Sequence, residues 1–317
     1  MVPGNSKASA YAAAIANALI IGLSFLFVKI ALDSADPLDA LAHRFTISFA
    51  AVLIPVLFGW LKIHIRFRDV VRILPVAIFY PALFFGFQVF GLMYSTSSEG
   101  GIIMALSPIF TVLLAGIFLK EQTTVWQKYA VLLSVTGVIY IFVMKGTSVD
   151  LANFKGLALL VLSTISMAIY SVMARTMTKQ FKPLELTFVM LLIGFLFFNA
   201  ISLVNHAWNG SLNEYVQPLT VPSFVLSTLY LGVLSSFVTS LLSNFALSRI
   251  EASQMSVFGN LATLISMLAG VLFLQEELGY YYIIGAVMIV AGVLGVNFLT
   301  PSRLGQGRAA KEITKES

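Results

Sequence analysis

The sequence predicts an all-α membrane protein of ten transmembrane helices. Composition, the spacing of long apolar runs, and the distribution of lysine and arginine carry that expectation. Of 317 residues, 59% are hydrophobic and only 10% charged, and the mean hydropathy is +0.93. A soluble domain is about 45–50% apolar and about 25% charged. A helix needs about 20 apolar residues to cross roughly 30 Å of hydrocarbon. Runs of that length, bounded by charges or Pro/Gly clusters, fall near 10–32, 38–60, 73–95, 97–119, 125–144, 154–177, 184–204, 222–247, 252–274 and 279–299.

In chain order, the first run follows Lys7 and is too long for the apolar core of a signal peptide, so it reads as a retained helix. The next three carry internal prolines, Pro55, then Pro75 and Pro81, then Pro108. Proline removes a backbone hydrogen bond and kinks a helix, so the first half is expected to bend more between conformations. The second half keeps Pro183, Pro218 and Pro222 at the borders of its runs. Trp60, Trp126, Trp208 and the run Tyr280 to Tyr282 fall at span ends, where amphipathic rings prefer the headgroup level. Residues 301–317 are polar and basic with no apolar period, which predicts a disordered cytoplasmic tail.

An even number of crossings puts both termini on one side. With that side cytoplasmic, Lys7, Lys62, Arg66, Arg68, Arg72, Lys120, Lys128, Lys179, Lys182, Arg249, Arg303, Arg308, Lys311 and Lys315 are inside, against only Lys145 and Lys155 outside. This positive-inside bias predicts cytoplasmic N- and C-termini in a cytoplasmic (inner) membrane. The net charge of +5 then reports topology, and nucleic acid is not expected as a partner. With no cysteine, disulfides, thiolate metal sites and cysteine nucleophiles are excluded.

The halves repeat each other. A shift of 155 places Phe118-Leu-Lys-Glu121 over Phe273-Leu-Gln-Glu276, Gly137-Val138 over Gly292-Val293, Ser98 over Ser253 and Phe90 over Phe245. Upstream, Pro37-Leu38 matches Pro183-Leu184 at a shift of 146. Two five-helix units are expected, 10–145 and 153–300. Five is odd, so the second unit enters the bilayer from the opposite face. Inverted repeats of this kind place a site at the midplane between the halves and provide a basis for alternating access.

The run Ile21-Gly-Leu-Ser-Phe25 leading to Lys29, the Pro37 to Arg44 segment, Tyr94-Ser-Thr-Ser-Ser98, Leu106-Ser-Pro108, Phe118-Leu-Lys-Glu121 and Gly137-Val138 resemble the drug/metabolite transporter superfamily, EamA type. Phe245-Ala-Leu-Ser-Arg-Ile-Glu-Ala-Ser253 and Phe273-Leu-Gln-Glu276 repeat the pattern in the second half. The resemblance covers about residues 10 to 300. It implies ten helices, cytoplasmic termini, and export or exchange of small metabolites, often amino acids. Ile21 stands where the family often has Trp. Thr263 replaces the second-half proline matching Pro108, so the resemblance does not predict a symmetric kink in the ninth helix.

Polar side chains within a span should face the protein interior or a water-filled path. Ser256 and Asn260 share a face of the ninth helix, Thr239 and Ser243 a face of the eighth, and Tyr80 and Gln88 lie on the third. Ser24 and Lys29 on the first helix, Ser107 on the fourth and Tyr170 on the sixth complete a candidate substrate-binding set. The same small polar residues suit helix packing, which stays open as the alternative for each Ser and Thr. Arg44 and Arg175 are expected to be interhelical or interfacial anchors. Glu99, in Thr96-x-x-Glu99, suits a capping box or, as a minority alternative, proton coupling, and Ser248-x-x-Glu251 suggests a second capping box.

With every acidic residue except Glu99 in a loop, a tail or a helix end, a lipophilic-cation pump is disfavoured. A small neutral or zwitterionic solute, its carboxylate meeting Lys29 or a helix N-terminus, fits better. Export by alternating access is the leading function. Uptake of a nutrient such as a vitamin or nucleoside is an alternative, and a lipid scramblase or non-transport role is another. No H-E-x-x-H, P-loop or G-x-S-x-G motif occurs, so neither enzymatic activity, nor a metal, nor a cofactor is expected. The lipid bilayer and a small-molecule solute are the expected partners, with protons a possible coupling ion. The sequence does not set the oligomeric state.

Overall fold

The computed structural model describes residues 3–92, 94, 103–144, 154–274 and 279–298, and every regular element among them is helical. The chain forms α1 (Pro3–Leu32), α2 (Pro37–Leu57), α3 (Phe67–Gly91), α4 (Ser107–Leu119) and α5 (Val125–Met144). After α5 come α6 (Phe154–Met177), α7 (Pro183–Asn209), α8 (Pro222–Leu247), α9 (Ala252–Leu274) and α10 (Tyr280–Phe298). A short helical turn, Leu212–Val216, lies between α7 and α8. Eight described helices are long and apolar enough to cross a membrane, and Ser107–Leu119 is a shorter apolar helix. Relative to the sequence expectation, α3 begins earlier, at Phe67, and α7 runs on to Asn209. Residues 301–317 lie outside the described residues, as does Glu99.

The prolines do not act alike: Pro55 and Pro75 lie inside helices that continue through them. Tyr80 leaves helical geometry at φ −143°, ψ 116°, because Pro81 disfavours the helical region for the residue before it. Pro108 sits in the first turn of α4, where a missing N–H costs nothing. The second half breaks regularity without proline: α8 widens to π-helical geometry over Tyr230–Val238. Across Thr263, α9 continues unbroken.

The packing partners repeat when the halves are exchanged. Helix α1 packs on α8 and α9, as α6 packs on α3 and α4; α2 pairs with α7, and α5 with α10. Both of the last pairs run antiparallel. Asp39 lies beside His206 and Thr46 beside Asn199 in the first, and Gln127 reaches Val296 while Gly137 meets Gly285 in the second. Gly285 and Gly292 lie against α5, where an added Cβ on Gly292 would stand 2.6 Å from the Ala130 carbonyl.

Helix ends are tied locally and across the halves. Thr124 and Gln127 form a reciprocal capping box at the start of α5, at 2.8 and 3.1 Å. At α9 the Ser248 hydroxyl donates instead to the Phe245 carbonyl, and the helix N-terminus is held by Glu121 from the first half. Its carboxylate accepts from the Ala252 N–H at 3.0 Å, the Ser253 N–H at 3.3 Å and the Ser253 hydroxyl at 2.7 Å. Sequence spacing could not show a cap supplied from 131 residues away. Glu121→Ala orphans these donors at a helix terminus that favours negative charge. It is expected to destabilise the purified protein by about 1–3 kcal/mol in thermal unfolding, with Glu121→Gln recovering part of the loss.

Of the aromatic residues expected at the headgroups, Trp60, Trp126, Trp208 and Tyr280 are exposed. Tyr282 is not; it is buried.

Candidate functional site

Arg44 lies about 10 Å along α2 from Pro37, at 1.5 Å per residue, and is only 6% exposed. Its Nε donates to Ser236 Oγ at 2.7 Å, and its Nη2 donates to the carbonyl and hydroxyl oxygens of Ser235, each at 3.1 Å. Both serines lie in the π-helical stretch of α8. The helices approach closely there because residue 232 is glycine; an added Cβ would stand 2.9 Å from the Arg44 carbonyl. The guanidinium also sits over the Phe85 ring of α3, 4.4 Å from its centroid, a favourable contact with the ring quadrupole.

Tyr80, next to this cation, stacks on Tyr170 of α6 with centroids 4.6 Å apart. The Tyr170 hydroxyl donates to Asn244 Oδ1 at 2.9 Å, with Ser243 Oγ at 3.4 Å. Asn244 in turn donates to Thr187 Oγ1 of α7 at 2.9 Å. Side chains of α2 and α3 thus meet those of α6, α7 and α8 in one buried polar and aromatic cluster, and the two halves share it.

A second network joins the start of α2 to the end of α7. The Asp39 carboxylate lies 2.9 and 3.0 Å from His206 Nε2 and accepts from the Ser202 hydroxyl; His206 Nδ1 faces Ser211 Oγ at 2.8 Å. Close by, the Tyr215 hydroxyl donates to Asn199 Oδ1 at 2.7 Å. Burial, then the negative charge of Asp39, raise the Tyr215 pKa, opposed by a hydrogen bond from Thr46, so the phenol stays protonated as the donor. Asp39 also lines an open polar recess of about 340 Å³ with Asp36, Glu214 and Gln217.

Of the ten residues singled out from sequence, the nine with described side chains are not gathered in one cluster. Tyr80, Tyr170 and Ser243 come together in the central cluster, and Thr239, one turn from Ser243, bonds the Ser235 carbonyl that Arg44 also reaches. Asn260 donates to Ser134 of α5 at 3.0 Å, a contact between helices. Gln88 donates to the Met104 sulfur. Ser24 and Ser256 donate to backbone carbonyls three residues earlier in their own helices, and Ser107 supplies the carbonyl that Thr111 bonds. The Lys29 side chain and Glu99 lie outside the described residues.

One family model, described as the EamA-like transporter family, matches residues 8–143 and again 154–298. The chain belongs to the EamA-like transporter family. It is 55% identical over 293 residues to "Uncharacterized transporter YcxC" of Bacillus subtilis, covering 92% of this chain and 94% of that protein. An "Uncharacterized transporter" of Archaeoglobus fulgidus is 25% identical, covering 86% and 92% respectively. A crystal structure 18% identical in sequence superposes with a TM-score of 0.76, covering 93% of this chain and 98% of its own, and shares the fold. This EamA-like chain is therefore a multi-pass membrane protein and a transporter of that family.

The sequence carried no sign of Asp39, His206, Asn199 and Ser235 as site residues, placed Ser236 on the polar stripe of the eighth helix without choosing it, and cast Arg44 only as an anchor. Arg44 does join two helices, as does Arg175, which donates to the Leu247 carbonyl at 2.6 Å. Asn244 stood beside a recognised stripe. Asp39 and His206 carried no usable signal, because 167 residues separate them and each reads alone as a helix-end residue.

Proposed function

We propose that this EamA-like protein is a secondary carrier that exports a small neutral or zwitterionic metabolite, an amino acid or a related compound, across the cell membrane. Ten helices form two inverted five-helix repeats, 10–145 and 153–300, with both termini cytoplasmic, and the solute passes between them by alternating access. The observation that carries this is the buried cluster built jointly by the two halves around Arg44, Tyr80, Tyr170 and Asn244. The antiparallel pairings of α2 with α7 and α5 with α10 support the inversion, since helices exchanged by an in-plane two-fold axis must run in opposite senses. The double match to one family model supports the two units. Protons are the proposed coupling ion, with Glu99 the candidate the sequence offers.

The absence of native cysteine makes the topology directly testable. Single cysteines at Asp33 and Asn209 are expected to react with a membrane-impermeant maleimide from outside the cell, and one at Gln180 only after lysis. Labelling of all three from one side would overturn the inverted arrangement. For activity, purified protein in liposomes preloaded with amino acids is expected to give saturable counterflow of the labelled compound. Lipid scrambling without solute exchange would overturn the carrier assignment.

A further inference from the structure

We infer that Arg44 is the recognition point for a carboxylate on the transported solute, with the ring and hydroxyl of Tyr80 beside it. The inference rests on the carrier assignment and deepens it by fixing the chemical class and the anchoring residue.

A permanent charge within a membrane bundle is expensive, and such groups pair with an opposite charge or serve a transported species. Among the described residues Arg44 has no carboxylate partner; the Asp39 carboxylate of the same helix lies against His206 instead. Its Nε and Nη2 are spent on Ser235 and Ser236, whereas Nη1 makes no hydrogen bond among the described residues. The fork is therefore tethered along one edge, with donors to spare at Nη1. A carboxylate is a planar acceptor that matches guanidinium donors in number, charge and geometry. A purely structural pin between α2 and α8 would need the bonds to Ser235 and Ser236 but neither the unused Nη1 donors nor a permanent charge.

The surroundings fit a small organic acid better than an inorganic anion. Phe85 covers one face of the guanidinium at 4.4 Å, and the Tyr80–Tyr170 stack extends the wall with apolar ring surface. Ser240 lies against the Tyr80 hydroxyl. Beyond it, the Ser243 hydroxyl, 3.4 Å from the Tyr170 hydroxyl, is a neutral group suited to an amino or hydroxyl group on the same solute. The arrangement places the carboxylate at Arg44, where the sequence alone had suggested Lys29.

The test compares acids with carboxylate-free counterparts in proteoliposomes. Labelled L-leucine, L-threonine and L-lactate form one set, and leucinamide and uridine the other. At least one acid is expected to exchange saturably, with its amide or another carboxylate-free solute competing about tenfold more weakly or worse. Arg44→Gln should remove that preference, and Arg44→Lys, which keeps the charge but not the fork, should weaken it.

The wild-type comparison decides the matter even if both variants unfold. Equal exchange of acids and carboxylate-free solutes, or exchange of the latter alone, would overturn the inference while leaving the carrier intact. Retention of the full acid preference in Arg44→Gln would overturn the role of Arg44. Exchange of nothing in either set would overturn the carrier assignment and the inference together.

Discussion

Gly292→Leu is expected to destabilise the protein by about 3 kcal/mol or more, because overpacking a close contact costs about 1–3 kcal/mol even when neighbours can yield. Here they cannot. A Cβ at residue 292 would stand 2.6 Å from the Ala130 carbonyl and 2.7 Å from the Ser134 backbone nitrogen, so helix backbone blocks it, not a flexible side chain. Gly285 and Gly137 make the same close approach one to two turns along, each against the other's carbonyl at 2.9 Å. In lipid no hydrophobic force drives helices together, and small residues that let backbones approach supply the dispersion contacts instead. Separating α5 from α10 at Gly292 would also pull Ser134 from Asn260 and Gln127 from the Val296 carbonyl, extending the loss to α9. Gly259→Ala is the control: nothing lies within 4 Å of its added Cβ, so the substitution should be neutral or gain about 0.5–1 kcal/mol from reduced chain entropy. Thermal unfolding in detergent reads both. Equal melting temperatures for the two variants would show that the α5–α10 seam is not close-packed.

The same seam shows what the sequence made legible. Span positions followed from apolar run length, since hydrocarbon thickness fixes the number of residues needed. Proline spacing marked the region of the break at Tyr80–Pro81, yet nothing in Tyr230–Val238 announced the π-helical stretch of α8, where Arg44 bonds the Ser235 carbonyl from another helix. Polar stripes were legible as faces but not as destinations. Ser256, Asn260 and Thr239 all obeyed helical spacing, and they bond their own backbone, a packed neighbour and the rim of the central cluster, respectively. Which neighbour a face meets depends on the order of helices in space. Local periodicity carries no information about that order.

The pair Asp39–His206 is expected to hold the α2–α7 contact, and His206→Ala should destabilise the protein by about 3–5 kcal/mol, the range for removing one member of a buried pair. Both residues are under a tenth exposed. Asp39 also stands where a helix terminus favours a carboxylate. It lies in the first turn of α2, and His206 lies in the last turn of α7. Loss of His206 leaves the carboxylate with the Ser202 hydroxyl as its remaining side-chain partner among the described residues. Asp39→Ala leaves the imidazole with Ser211 alone in the same sense. The double variant Asp39→Leu, His206→Leu should recover much of the loss, because replacing both partners by apolar groups removes the uncompensated charge and the desolvation cost together. A double-mutant cycle on thermal unfolding measures the coupling directly. A double variant as unstable as the sum of the singles would mean the two residues act independently and the contact between the halves is held by its aromatic packing, Phe45 on Phe198 and Phe49 on Phe195. If the cycle shows coupling, the pair is a tie between equivalent helices of the two halves, and any conformational change that reopens this end of the bundle must first break it.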